Sequence, residues 1–388
     1  MIDYRSLERL EVFRGDARVA TLNRLPRGCE FRYDADFLAS TEPRIALHLP
    51  KTHEPLVTEG VLNLPTYFAG LVPEGVMLTA AQTLIGSARD DLFAVLAATG
   101  RDAIGDIDVR APGAPLQEPS LLNLESAKEV IESILDRTFE KAEAIAAIPG
   151  VQPKMSIGGI ARANRRARYI AKFPSAGFPG LVENEAACMT LARKCGLSAP
   201  RARVENGIYV VDRFDREGGG KIHVEDMLQA LNLFPHSKYA LDFGELCQGM
   251  DSLGVSSAGI LQTIRLYAFS YMIGNGDLHA KNVSLEFRGN GQWAPSPAYD
   301  LVSTLPYKGQ LTGGDAMALA LADETVGRFE LRDFVEFGKR FRIPEAATRK
   351  ALAALGRAVL RFGPTMLSGV LSSEDLDTVI SRAASLSG

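Results

Sequence analysis

Ile273-Gly274-Asn275-Gly276-Asp277-Leu278-His279-Ala280-Lys281-Asn282-Val283-Ser284-Leu285 is the most informative stretch of the chain. It holds an acid, an imidazole, an ammonium and an amide within the six positions from Asp277 to Asn282. Apolar spacing over residues 261–273 predicts a helix before it, and residues 283–287 predict a strand after it, so the polar cluster occupies a glycine-containing turn. Unpaired polar groups are costly to bury. A cluster this dense is therefore either a solvated, capped turn or a loop kept for chemistry, and its density favours the second.

Working outward, Asp277 and Asn282 have the separation seen in the protein-kinase loop H-R-D-x-x-x-x-N. There the Asp orients the attacking hydroxyl and takes its proton, and the Asn holds magnesium. Asp-x4-Asn alone arises often by chance, so the neighbouring pieces matter. Ala298-Tyr299-Asp300-Leu301-Val302-Ser303-Thr304 follows the predicted strand. An Asp there can bridge nucleotide phosphates through Mg²⁺, which prefers one or two carboxylates plus phosphate oxygens and water; in isolation it also reads as a helix cap. Tyr169-Ile170-Ala171-Lys172-Phe173-Pro174 ends an apolar strand in a lysine. That is the placement of the kinase phosphate-binding lysine, or of a charge that blunts an edge strand. The helix that follows carries Glu183 and Glu185, and Glu185 is the better placed to pair with Lys172. Gly150-Val151-Gln152-Pro153-Lys154 is a turn whose backbone amides suit phosphate, or a plain β-turn. No GxxxxGK[ST] occurs in the chain, which disfavours a P-loop NTPase.

The 388 residues are 46% hydrophobic and 23% charged, the balance of a globular chain and not of a disordered or fibrous one. Net charge is −4, which argues against a chain whose main work is coating DNA or an anionic membrane. Cys29, Cys188, Cys195 and Cys247 form no CxxC pair and read as buried apolar residues. Neither a signal peptide nor a membrane-spanning run is recognised, so a cytoplasmic setting is expected.

Short strands are expected at residues 10–13 and 18–22 around Arg14-Gly15-Asp16, and around Phe31 and Tyr33. A helix is expected at residues 90–98 and a strand at 107–109, then a Pro-rich linker at 110–119. Beyond it come a polar helix at 124–144, paired strands at 155–161 and 168–173 around a basic turn, and a helix at 183–194 ending before Gly196. A strand at 207–214 precedes a mostly helical remainder, with Leu352, Leu355 and Val359 on one stripe. His48, His53, His223 and His236 read as surface or capping residues. These elements suggest an α+β architecture in three segments, an α/β segment (1–118), a second β-rich lobe (119–222) and a helical lobe (223–388), with a cleft for a ligand expected between a small β lobe and a helical one.

Taken together, the motifs resemble those of the HipA-type serine/threonine kinases, the toxin halves of bacterial HipBA toxin–antitoxin systems. Residues 67–75 (YFAGLVPEG) are similar to the family's F-x-x-L-L-P-E-G, and residues 100–105 (GRDAIG) to G-x-D-x-x-G. Residues 150–154 resemble G-[AV]-Q-[PE]-K, and 211–216 (VDRFDR) resemble E-R-F-D-R. Glu225-Asp226-Met227 with Lys238-Tyr239 resembles E-D-[MF]…K-Y. Residues 274–282 resemble G-x-x-D-x-H-x-K-N, and Tyr299-Asp300 the Y-D-[LI]-x-S signature. The motifs keep the family's order over nearly the full chain.

The resemblance implies a two-lobed, protein-kinase-like fold, with an extra N-terminal subdomain, that uses ATP and Mg²⁺. By position, Asp277 is the catalytic base and Asn282 and Asp300 are the metal ligands. Lys172 takes the α/β-phosphates, and Asp212, Arg213 and Phe214 form the hinge near adenine. Gly150, Val151, Gln152 and Lys154 cover the phosphates, and His279, Lys281 and Tyr299 neighbour the nucleotide. The implied partners are a HipB-like helix-turn-helix antitoxin, operator DNA reached mainly through it, and a protein substrate in translation such as an aminoacyl-tRNA synthetase, whose phosphorylation arrests growth and favours persistence. Two departures stand out. Ala147 and Pro149 occupy places where relatives carry the serine whose autophosphorylation switches the kinase off, so inactivation there is not expected. Asp212 replaces a Glu, with little effect expected because adenine is met by backbone. A catalytically weak co-repressor module and a metal-dependent phosphoesterase are the competing readings. The intact polar set opposes the first, and the shortage of bridging carboxylates and imidazoles opposes the second. The Gly-rich residues 308–314 are expected to be a mobile activation loop, and Arg162, Arg165, Arg166 and Arg168 a solvated hairpin tip.

Overall fold

A computed structural model describes residues 2–60, 64–88, 90–114, 154–157, 168–174, 177–288, 291–310, 316–321 and 327–388. The expected linker beyond residue 114, the helix at 124–144, the loop 150–153, the basic turn 162–166 and most of the segment 308–314 lie outside the described residues, as do Ala147 and Pro149. The chain divides into two units, Met1–Ile170 with Asp215–Pro235, and Ala171–Phe214 with His236–Gly388.

In the first unit, β1 (Arg9–Arg14), β2 (Ala17–Leu25), β3 (Gly28–Tyr33), β4 (Leu56–Glu59) and β5 (Ile107–Arg110) form an antiparallel sheet in the order β4-β3-β2-β1-β5. Gly15, at φ 62°, makes the expected tight turn between β1 and β2. Side chains alternate across a strand, so Leu10 and Val12 of β1 and Phe31 and Tyr33 of β3 all face inward. The helices Thr66–Leu71 and Leu92–Thr99 add Phe68, Phe93 and Leu96 to that core, and Leu78 of the helix Gly75–Ile85 packs against it. The Asp91 side chain caps Leu92–Thr99 by accepting the Ala94 N–H at 3.0 Å, and also receives Arg24 of β2 at 3.0 Å. One carboxylate thus starts the helix and ties it to the sheet.

Residues 215–235 return to this unit through ion pairs. Asp215, fully buried, accepts the Gly105 N–H at 2.9 Å, while Arg216 reaches Asp215 at 2.6 Å and Asp102 at 2.7 Å. The G-x-D-x-x-G stretch and the end of the V-D-R-F-D-R stretch are therefore two sides of one network. Gly105 needs to be glycine: its φ is 91°, and a Cβ there would sit 3.2 Å from the Val224 carbonyl oxygen. Gln229 donates to the Tyr67 carbonyl at 2.8 Å, which ties the E-D-M segment to Y-F-A-G-L-V-P-E-G.

His223 is not a surface residue. It is buried between Asp106 (2.8 Å) and Glu225 (3.0 Å); Glu225 also takes the Leu47 N–H, and Asp106 is paired with Arg14. Burial opposes the imidazolium, but the hydrogen bonds and charges of Asp106 and Glu225 outweigh it and raise its pKa to about 9, against an ordinary 6.5. A histidine shifted upward contributes stability that is complete below its unfolded pKa and lost as pH rises through the folded one. The unfolding midpoint in urea is therefore expected to fall between roughly pH 6.5 and 9, and His223→Gln to flatten that fall. The same slope in the variant would assign the dependence to another group.

In the second unit, Asn206 and Gly207 (φ 52° and 72°) close a two-residue hairpin between the strands Ala202–Glu205 and Ile208–Asp212. The helix Ser257–Ile273 is buried on nearly all sides, packed by the helices Phe243–Ser252, Leu331–Lys339, Glu345–Leu367 and Ser373–Leu386. Its Tyr267 meets Phe243 at 4.2 Å between ring centres, and Phe243 stacks on Phe337 at 5.1 Å. The helix Leu181–Lys194 lies against Glu345–Leu367, whose Leu352, Leu355 and Val359 are buried as the stripe predicts. All four cysteines are unpaired and buried, and burial pushes the thiols of Cys29, Cys188 and Cys195 up to about 12. Among the described residues no helix is long and apolar enough to cross a membrane.

Candidate active site

The loop after Ser257–Ile273 begins with Gly274 at φ 68°, a left-handed helix cap. At Gly276 a Cβ would stand 2.6 Å from the Ala316 carbonyl oxygen, so only glycine fits. Thr304 fastens the loop: its hydroxyl donates to the Gly274 carbonyl at 2.9 Å and accepts the Gly276 N–H at 3.0 Å. Asn275 is fully buried and accepts the Asp277 N–H at 3.2 Å, leaving the Asp277 side chain partly exposed. Asp277 Oδ1 accepts a hydrogen bond from the Tyr239 hydroxyl at 2.8 Å.

Downstream, Asn282 Oδ1 accepts the His279 N–H at 3.2 Å and its Nδ2 faces Asp300 Oδ2 at 3.5 Å. Asp300 has a left-handed backbone, φ 52°, uncommon for a side chain other than Asn or Asp. Tyr299 fixes that backbone: its hydroxyl donates to the Lys281 carbonyl at 2.7 Å and meets Ser284 Oγ at 2.5 Å, and its ring stacks on Phe214 with centres 5.5 Å apart. Asp212 ends the strand Ile208–Asp212 and donates its N–H to the Arg201 carbonyl at 2.9 Å, and Arg213 after it is buried.

Lys172, at the end of the strand Tyr169–Lys172, is buried. Its Nζ donates to Glu185 Oε1 at 2.6 Å and to Asp300 Oδ1. Burial opposes its charge, but the two carboxylates outweigh that and hold the ammonium above the usual lysine pKa. The helix Leu181–Lys194 that brings Glu185 to Lys172 also brings Asn184, which grips one residue twice: its Nδ2 donates to the Ser303 carbonyl (2.9 Å) and its Oδ1 accepts the Ser303 N–H (3.0 Å). One helix therefore positions both the lysine and the segment that carries Asp300.

The structure thus brings together Lys172, Glu185, Asp300 and Asn282, links Tyr299 to Phe214 and Lys281, and puts Asp277 and His279 in the same loop as Asn282. Gly150, Val151 and Gln152 lie outside the described residues, and Lys154 opens the strand Lys154–Ile157. Sequence reading missed Asn184, Tyr239 and Thr304 as parts of the site. Among the described residues there is no group of three or more His, Cys, Asp or Glu side chains arranged to hold a metal. The donors present still fit magnesium, which takes few protein ligands. One carboxylate and one amide stand side by side, and a second carboxylate shares the Lys172 ammonium with Asp300. Ligation through Asn282 Oδ1 requires the amide to turn from the His279 N–H.

Two family models match the chain, the HipA N-terminal domain over residues 10–110 and the HipA-like C-terminal domain over residues 146–361. A Sinorhizobium fredii protein provisionally named a kinase, Y4dM, is 29% identical over 332 residues, 78% of each chain. The serine/threonine-protein kinase toxin HipA of Shewanella oneidensis is 29% identical over 307 residues, 70% of this chain and 69% of that one. A solved Shewanella oneidensis HipA, in complex with HipB and operator DNA, superposes with a TM-score of 0.75 at 23% identity, covering 97% of this chain and 96% of that one. With the C-terminal model alone spanning more than half its length, the chain belongs to the HipA family and has that family's two-lobed, kinase-like fold.

Proposed function

We propose that this chain is a Mg²⁺- and ATP-dependent serine/threonine protein kinase and the toxin of a toxin–antitoxin pair. The observation that carries the reading is the buried Lys172–Glu185 pair joined to Asp300 and Asn282, in one unit with a partly exposed Asp277. Asp277 takes the proton of the acceptor Ser or Thr hydroxyl as its oxygen attacks the γ-phosphorus. Lys172, oriented by Glu185, meets the α/β-phosphates, and Phe214 and Tyr299 offer aromatic surface beside adenine. Asn282 and Asp300 hold magnesium, which when bound neutralises charge developing on the phosphoryl oxygens. The Shewanella oneidensis complex supports a HipB-like helix-turn-helix antitoxin as the partner, with operator DNA met mainly through it. The protein substrate is a translation component, an aminoacyl-tRNA synthetase being the leading candidate.

The test is transfer of label from γ-labelled ATP and Mg²⁺ to proteins of a cleared host lysate, beside Asp277→Ala. A discrete labelled band that the variant does not give is the expected result, and it supplies the substrate for identification. Equal labelling by the variant, or none by either protein, would overturn the kinase reading.

A further inference from the structure

Tyr239 is 53% exposed, yet its hydroxyl and its ring both reach the loop that carries Asp277. Its hydroxyl donates to Asp277 Oδ1 at 2.8 Å. Its ring meets the buried His279 edge to face, with centres 5.2 Å apart and planes at 78°. The preceding residue is pinned by a backbone bond, the Ala280 N–H donating to the Lys238 carbonyl at 3.2 Å. A hydrogen bond and a ring contact therefore hold this side chain over the carboxylate, and a backbone bond anchors the residue before it. An exposed phenol retained only for packing would turn its ring inward and leave its hydroxyl to water.

We propose that Tyr239 is a positioning residue for the phosphoryl acceptor: it fixes Asp277 Oδ1 so that Oδ2 is presented to the incoming Ser or Thr hydroxyl. The inference rests on the kinase reading. In the step, the acceptor O–H proton passes to Oδ2 and the acceptor oxygen bonds to the γ-phosphorus. The bond from that phosphorus to the β–γ bridging oxygen breaks, and ADP leaves with the electron pair. Tyr239 keeps its own proton throughout. A carboxylate free to rotate offers its lone pairs in many directions, whereas one anchored oxygen restricts it to few, which is the orientational gain enzymes draw on.

The experiment compares wild type, Tyr239→Phe and Asp277→Ala on the substrate protein recovered from the labelled band. Binding of a fluorescent ATP analogue with Mg²⁺ and the urea midpoint are measured on the same samples. Tyr239→Phe is expected to lower kcat by roughly 10- to 100-fold, with nucleotide Kd and midpoint unchanged because the ring and its exposure are kept. A wild-type or raised rate in Tyr239→Phe, with Asp277→Ala inactive, overturns the proposal and leaves the kinase intact. A fall in kcat matched by weaker nucleotide binding and a lower midpoint assigns Tyr239 a structural role instead. No transfer by wild type takes away the kinase reading, and this inference with it.

Discussion

Asp300→Asn is expected to lower phosphoryl transfer at least about 100-fold, the scale on which a lost charge stabiliser in a transition state is felt, while the protein stays folded. The reason lies in the charge balance around Lys172. In the native cluster the Lys172 ammonium meets Glu185 and Asp300, and Asp300 is the carboxylate that also stands beside Asn282, where a cation would draw on its charge. Asparagine removes that charge and keeps the Lys172–Glu185 pair. It also suits the backbone, since Asn accepts the left-handed φ of 52° nearly as well as Asp, whereas Ala would add strain of its own. The stability of the variant is therefore expected to match wild type, and the loss to be one of chemistry. Binding of the fluorescent ATP analogue checks this directly: wild type should bind more tightly as Mg²⁺ is added, and Asp300→Asn should show little response to it. Full activity with an unchanged Mg²⁺ response would remove Asp300 from the metal site.

The parts of this site that were legible in the sequence are those whose chemistry is out of place locally. Lys172 ends an apolar strand, and Asp277, His279, Lys281 and Asn282 crowd a turn, so each violates the pattern around it. Asn184 gives no such signal, because its partner is the backbone of Ser303, and any residue supplies a carbonyl and an N–H. Tyr239 stands in the Lys238-Tyr239 motif, but nothing local ties it to Asp277, 38 positions away. His223 was misread for a related reason. The residues that bury and charge it come from elsewhere, and Asp106 lies 117 positions upstream. The return of Asp215–Pro235 to the first unit is likewise written in ion pairs across the chain and not in a composition shift. Other features were readable and went unread. Asn206-Gly207 just before the β-branched stretch Ile208–Asp212 signals a hairpin, and the helix Gly75–Ile85 opens after Pro73-Glu74 and closes at Gly86.

Lys172→Met is expected to cost both stability and activity, and a second substitution separates the two. Removing one partner of a buried ion pair leaves the other charge without compensation, which costs about 3–5 kcal/mol. Here both Glu185 and Asp300 lose the ammonium, but Glu185, whose side chain is 5% exposed against 29% for Asp300, bears most of the cost. Methionine fills most of the space of the lysine stem, so the loss is electrostatic in the main and not a cavity effect. Replacing Glu185 as well removes the stranded charge, and buried ion pairs exchanged for apolar residues of similar volume are often neutral or stabilising. Lys172→Met/Glu185→Leu is therefore expected to recover most of the urea midpoint lost in Lys172→Met. Phosphoryl transfer is not expected to return, because no ammonium remains to meet the phosphates. A double variant as unstable as the single one would show that Glu185 is not the source of the cost. Recovered activity in the double variant would show that Lys172 serves the fold and not the phosphates, and the reading of the whole cluster as a nucleotide site would fall with it.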